Sequence, residues 1–180
     1  MEPISVLALC GSLRKASLNR QLMMCALDLA PRQVEFRLGD ISALPLYNAD
    51  VEAQGFPQAA INLHQKLRAS DAVLIVTPEY NYSIPAPLKN AIDWLSRFDP
   101  QGFDNKPVAI MGASPGRLGT ARCQYHLRQV MVSLNAWVMN QPEIMVRDAH
   151  LAFDADGKLT DPQLQKRVQQ LLASLVSMVH

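Results

Sequence analysis

The stretch from Leu7 to Arg20, LALCGSLRKASLNR, constrains the fold more than any other part of the chain. An apolar run, Ile4 to Leu9, stops at Gly11; small and hydrogen-bonding side chains follow, and from Leu18 the apolar residues recur with helical period. A strand, a loop and a helix are predicted in direct succession. A loop that closes onto a helix N-terminus gathers unpaired backbone N–H groups and the positive end of the helix dipole. Here Ser12, Ser17 and Asn19 add side-chain donors, and Arg14 and Lys15 add positive charge. That combination suits an anion, a phosphate above all, whereas an ordinary capped turn needs only one such Ser or Asn.

The loop is neither of the two common phosphate motifs. No glycine stands two residues after Gly11, as a dinucleotide fingerprint requires, and the Gly-Lys-Ser/Thr ending of a P-loop is missing. A phosphatase with a cysteine nucleophile at this position needs an arginine six residues further on, but Cys10 is followed by Arg14 at four and Ala16 at six. Cys10 therefore reads as a small apolar strand residue, with a reactive thiolate as the alternative.

Downstream, apolar runs alternate with helical patterns. Leu18, Leu22, Cys25, Ala26 and Leu29 share one helical face, which Pro31 ends, and a second strand follows at Val34 to Leu38. Gly39 to Phe56 has no sustained period and is expected to wander over the end of the sheet. A helix from about Pro57 to Ala69, burying Ala60, Leu63, His64 and Leu67, leads into AVLIVT, Ala72 to Thr77, an apolar run typical of a strand buried on both faces. After PEYNYSIPAP a helix restarts near Pro87, with Leu88, Ala91, Ile92 and Leu95 inward. The fourth strand, Pro107 to Met111, opens into GASPGRLGT and a helix facing inward through Cys123, Leu127, Val130, Met131 and Leu134. A fifth strand is expected within Trp137 to Val146, then a polar turn at FDADGKLTDP and an amphipathic last helix with Leu164, Val168, Leu171, Leu172 and Leu175. Strands alternating with helices mean an α/β fold, a parallel sheet covered on both faces. The length fits one flavodoxin-like domain over residues 1–180, a three-layer sandwich with a five-stranded sheet in the order 2-1-3-4-5.

In such a fold the ligand lies outside the carboxyl ends of the strands, where three loops leave: Gly11 to Asn19, Pro78 to Pro85 and Gly112 to Gly119. Glu79, Tyr80, Asn81 and Tyr82 form either a tight turn between Pro78 and Pro85 or a wall for a planar heterocycle, with N–H donors for its edge. No His lies in any of the three loops, so the backbone of Glu79 matters more than its acid group. Ser114, Gly116 and Gly119 permit close backbone approach to the same ring, with Arg117 and Arg122 as anchors for a second, anionic ligand; a flexible connection is the plain alternative.

Composition narrows the classes. With 49% hydrophobic and 18% charged residues and a net charge of +1, the chain has no basic stripe for nucleic acid and no apolar run near the ~20 residues of a membrane span. The N-terminus lacks a signal-peptide pattern, and a cytoplasmic location is expected. Cys10, Cys25 and Cys123 are expected to stay reduced. His64, His126, His150 and His180 share no ligand spacing, and Asp154, Asp156 and Gly157 do not complete a calcium loop, so no metal is expected.

GSLRKASLN after the first strand, TPEYNYSIPAPLKNAIDWLSR after the third and the Gly-Ser-Pro loop after the fourth resemble the NAD(P)H-dependent FMN reductase family, in particular its quinone and chromate reductase branch. The resemblance runs in order over nearly the whole chain. It implies that Ser12, Leu13, Arg14, Lys15, Ala16, Ser17, Leu18 and Asn19 surround the FMN phosphate, with Ser12, Arg14, Ser17 and Asn19 holding it. It places Pro78, Glu79, Tyr80, Asn81 and Tyr82 against the flavin and Ser114 on its pyrimidine side, with Gly116 and Arg117 also among the cofactor-binding residues. Ala86 and Pro87 stand where the family often has glycines, and Thr120 replaces the second glycine of a common pair, departures that bear on substrate choice.

The chemistry the resemblance implies belongs to the flavin, with no catalytic side chain: NADPH or NADH gives a hydride, and a quinone or another acceptor, such as chromate, an azo compound, a ferric complex or free flavin, collects the electrons. It also implies a homodimer or homotetramer. The alternatives are a flavodoxin passing single electrons to protein partners, which a near-neutral surface suits poorly, and the cysteine phosphatase.

Overall fold

The structure, a computed structural model, describes residues 3–179. The first strand, β1 (Ile4–Cys10), is flanked by β2 (Val34–Gly39) and β3 (Ala72–Val76), and β3 by β4 (Pro107–Ala113), all parallel and in the order β2-β1-β3-β4. The fifth position is filled twice. Both β5 (Trp137–Val138) and β6 (Ile144–Val146) pair in parallel with β4, the first beside Pro107 and Val108, the second beside Met111 to Ala113. The expected single strand is interrupted because Pro142 has no N–H for the ladder and the carbonyl of Met139 accepts instead from Arg128 Nη1 at 2.6 Å.

Alternation along each strand divides the core. Ile4, Val6 and Ala8 of β1, Leu74 and Val76 of β3 and Ala109 and Met111 of β4 face α1 (Leu18–Asp28) and the C-terminal α6 (Pro162–Ser177). Leu7 and Leu9, Val73 and Ile75, and Val108 and Ile110 face the opposite layer. That layer is built of α3 (Gln58–Arg68), α4 (Ala86–Leu95) and α5 (Ala121–Ser133), so the sheet is covered on both faces. Between β2 and α3 the wandering segment contains one short helix, α2 (Ala49–Glu52), which Asn48 caps by accepting from the Asp50 N–H at 2.8 Å. His64 of α3 is half-buried rather than core, lying flat on Phe98 with ring centroids 4.0 Å apart.

Among the described residues no helix is long and apolar enough to cross a membrane, and no cluster of three or more His, Cys, Asp or Glu side chains could hold a metal ion. His180 lies outside the described residues.

Candidate functional site

Two glycines bring the carboxyl ends of the central strands together. A methyl group on Gly11 would meet Thr77 Oγ1 at 2.5 Å, and one on Gly112 would meet the Thr77 carbonyl oxygen at 2.2 Å. Only glycine allows β1 and β4 to approach the end of β3 so closely. The three loops that leave these ends converge on one open cleft of about 230 Å3, lined by Ser12, Arg14, Ser17, Leu18 and Asn19 from the first, Pro78, Glu79 and Tyr80 from the second, and Ala113, Ser114 and Pro115 from the third.

The first loop is held by two buried side chains. Ser17 caps α1, its hydroxyl oxygen accepting the Arg20 N–H at 3.2 Å. Asn19 clips onto β4: Nδ2 donates to the Ala113 carbonyl and Oδ1 accepts the Ala113 N–H, both at 2.8 Å. The side chain of Asn19 is thus committed to the backbone, and its N–H is what it offers a ligand. No acceptor among the described residues takes the N–H groups of Lys15, Ala16, Leu18 or Asn19. Unpaired donors at a helix N-terminus form an anion cradle.

The second loop is a hairpin. Tyr80 N–H donates to the Ser83 carbonyl at 3.1 Å and Ser83 N–H to the Tyr80 carbonyl at 3.0 Å, while Asn81 and Tyr82 both take positive φ, 49° and 64°. Paired left-handed residues make the mirror-image turn that suits a hairpin, but an aromatic residue there is strained. Both tyrosine rings are largely exposed. The acid group of Glu79 faces away from solvent, and Oε2 accepts the Cys123 N–H of α5 at 2.9 Å. His126, also of α5, reaches the Ser83 hydroxyl through Nδ1 at 3.1 Å.

In the third loop Ser114 N–H donates to the Val146 carbonyl at 2.9 Å, and the Ser114 hydroxyl accepts the Gly116 N–H at 3.1 Å. Thr120 makes no side-chain cap to α5; its hydroxyl accepts instead from Gln124 Nε2 at 2.9 Å. Ala86 and Pro87 occupy the first turn of α4, where the missing proline N–H would find no helical acceptor anyway.

The structure therefore gathers eight of the residues singled out in the sequence: Ser12, Arg14, Ser17, Leu18, Asn19, Pro78, Glu79 and Tyr80, with Ser114 as the ninth. Leu13, Lys15, Ala16, Asn81, Tyr82, Gly116 and Arg117 belong to the same loops but do not line the cleft. Leu13 borders a neighbouring hollow of about 570 Å3 with Arg20, Met24 and Leu38. Arg122, paired in the sequence with Arg117 as an anion anchor, is already engaged: its guanidinium carbon lies 3.7 Å from the Tyr82 ring centroid. Ala113, Pro115 and His126 were not singled out for the site. Ala113 takes part through its backbone, which residue type does not announce, and His126 arrives from a helix beyond the loops.

The thiols are poorly suited to nucleophilic work. Burial pushes the Cys10 thiol up, outweighing its bond to the Ser12 carbonyl and the Arg20 charge, and burial takes Cys123 to about 12. A thiol held protonated is a weak nucleophile, which argues against the phosphatase alternative.

The sequence model described as NADPH-dependent FMN reductase matches residues 4–151. A Pseudomonas aeruginosa protein named NAD(P)H-dependent FMN reductase is 50% identical over 174 residues, covering 97% of this chain and 94% of its own. An Escherichia coli protein named quinone reductase is 51% identical over 146 residues, 80% of this chain and 78% of its own. Among solved structures, the flavoenzyme NAD(P)H:(acceptor) oxidoreductase FerB from Paracoccus denitrificans superposes with a TM-score of 0.89 at 39% identity, over 98% of this chain and 97% of its own. This chain belongs to the NADPH-dependent FMN reductase family.

Proposed function

We propose that the protein is an FMN-dependent NAD(P)H oxidoreductase that reduces quinones and related small acceptors, working as one domain over residues 1–180. The observation that carries this reading is the meeting of three loops in one cleft, one of them with free N–H groups at the N-terminus of α1. The residues fit FMN. Ser12 to Asn19 provide backbone donors, the Ser12 hydroxyl and two cations for the phosphate, and Pro78 to Tyr80 with Ser114 provide backbone groups at the ring. The cleft of about 230 Å3 is open, which suits a cofactor that must meet a second reactant.

When bound, the flavin supplies hydride acceptance from a nicotinamide and two-electron delivery to an acceptor. The chain's own part is to bind and orient: the α1 N-terminus would hold the phosphate, and the second loop and Ser114 would hold the ring. No side chain in the cleft is asked to move a proton. Arg117, exposed and without a charged partner among the described residues, is the remaining cation for the 2′-phosphate of NADPH, since Arg122 is engaged. The relatives named for quinone reduction support quinones as the acceptor class. A cytoplasmic location and assembly as a homodimer or homotetramer complete the reading, a second subunit serving to cover part of the open face.

The test is the visible spectrum of the protein loaded with FMN, before and after anaerobic NADPH or NADH. Bleaching by either nicotinamide and recovery on adding benzoquinone is the expected result. A flavin that ignores both nicotinamides but accepts electrons from dithionite would favour the flavodoxin alternative, and a protein that refuses FMN would overturn the reading.

A further inference from the structure

Glu79 is the one carboxylate in the three loops, and the reaction proposed above gives it no proton to carry. Glu79 lines the cleft, and its carboxylate, on a side chain only 9% exposed, turns to α5 and accepts the Cys123 N–H at 2.9 Å. The start of α5 is thus capped from another loop, because Thr120 provides no cap of its own. A carboxylate at this position satisfies an N-terminal donor and meets the positive end of the helix dipole.

Two further ties run the same way. Arg122 Nη1 lies 3.9 Å from Glu79 Oε1 while the guanidinium stacks over Tyr82, and Ser83 bonds His126. All of them join the hairpin to the first turns of α5. The hairpin has reason to be held, since Tyr82 occupies a left-handed conformation that is unfavourable for an L-residue with a side chain. Strain of this kind persists only where the surroundings over-determine it.

We propose that Glu79 is a positioning residue whose carboxylate caps α5 and, through Arg122, fixes Tyr82, holding the second and third loops at the separation that the flavin ring requires. This rests on the FMN reading above. The cap sets where α5 begins and hence where the third loop ends; the Arg122 contact sets the hairpin tip. Losing the carboxylate frees both walls while leaving the anion cradle of the first loop intact.

The experiment compares backbone amide hydrogen exchange in the apo forms of the wild type, Glu79→Gln and Glu79→Ala, followed by FMN titration of each. In Glu79→Ala the amides of Cys123, Tyr80 and Ser83 should exchange at least about tenfold faster, as expected for a lost hydrogen bond to a charged group, while those of β1, β3 and β4 stay unchanged. The FMN dissociation constant should rise by a similar factor. Glu79→Gln, which keeps a carbonyl acceptor for Cys123, should recover part of both. Unchanged exchange at Tyr80 and Ser83, acceleration spread evenly over the sheet, or unaltered FMN affinity in a protein whose wild type binds FMN would each overturn the proposal. A wild type that refuses FMN would instead sink the functional reading, and the exchange data alone would then decide the brace. Should Glu79→Ala fail to fold, Arg122→Ala removes the Tyr82 stack and the Glu79 ion pair but leaves the carboxylate on the Cys123 N–H: Tyr80 and Ser83 should exchange about threefold faster with Cys123 unchanged.

Discussion

The first and second loops leave adjacent strand ends and line the same cleft, yet they are built on opposite plans. The first leaves its backbone donors open. No residue from Ser12 to Asn19 has positive φ, and its order comes from two buried side chains below it, Ser17 and Asn19. The second closes its backbone on itself through the Tyr80–Ser83 pair, tolerates two left-handed residues at its tip and is tied sideways to α5. Open donors suit a charged group that must be solvated by the protein, whereas a closed, cross-braced turn suits a rigid surface for an uncharged ring. One loop binds by what it leaves unsatisfied, the other by what it has already satisfied.

The sharpest way to break this contrast is to remove the support of the open loop. Asn19→Ala deletes both bonds to Ala113 and leaves a buried N–H and a buried carbonyl without partners. Equilibrium urea unfolding should show a loss of about 3 kcal/mol, at 1–3 kcal/mol for each unpaired group. The anion cradle should go with it, because the first turn of α1 is then no longer registered against β4. A variant that lost less than about 1 kcal/mol and kept wild-type FMN affinity would show that the cradle is organised by its own sequence and not from below.

In the hairpin, the contrast turns on strain. Glycine adopts left-handed backbone freely, so Tyr82→Gly should be more stable than Tyr82→Ala by about 1 kcal/mol, although both lose the ring under Arg122. FMN affinity should fall in both, since neither restores the stack with Arg122 that braces the hairpin. Equal stability of the two would mean that the tip relaxes once the ring is gone, and that Tyr82 stores no strain.

Much of this was legible in the sequence, and what was not shares a cause. The two-sided core and the three loops follow from local period and from glycines at strand ends, which the chain states directly, and the sheet order follows from the α/β class and the chain's length. The split of the last strand needed Pro142 to be weighed against a ladder whose register only tertiary pairing fixes. In sequence Asn19 looks like a ligand donor, because an amide after a strand-to-helix loop has that chemistry; its side-chain partner, Ala113, lies 94 residues away. The sequence puts the backbone of Glu79 before its acid group for the same reason, as the partner of that carboxylate lies 44 residues on. Side chains that bond locally are readable from spacing, while those spent on remote backbone look like free chemistry.

The smallest effect concerns a place far from both loops and tests whether they are insulated from the rest of the layer. His64 stacks on Phe98, which in turn stacks on Phe56 with centroids 4.0 Å apart, and its buried Nδ1 has no partner among the described residues. Burial, with the nearby Arg68 charge, holds the imidazole below its ordinary 6.5, so the unfolded chain binds a proton that the folded one refuses. Stability should therefore be full above about pH 6.5 and decline as the pH falls below it toward the lower folded value. His64→Phe keeps the stack and removes the titration, so its unfolding midpoint should lose that part of the pH slope. FMN affinity at the same pH should follow the wild type, because neither the open cradle nor the braced hairpin contacts this stack; a parallel change in affinity would join α3 to the cleft and dissolve the separation between the two plans.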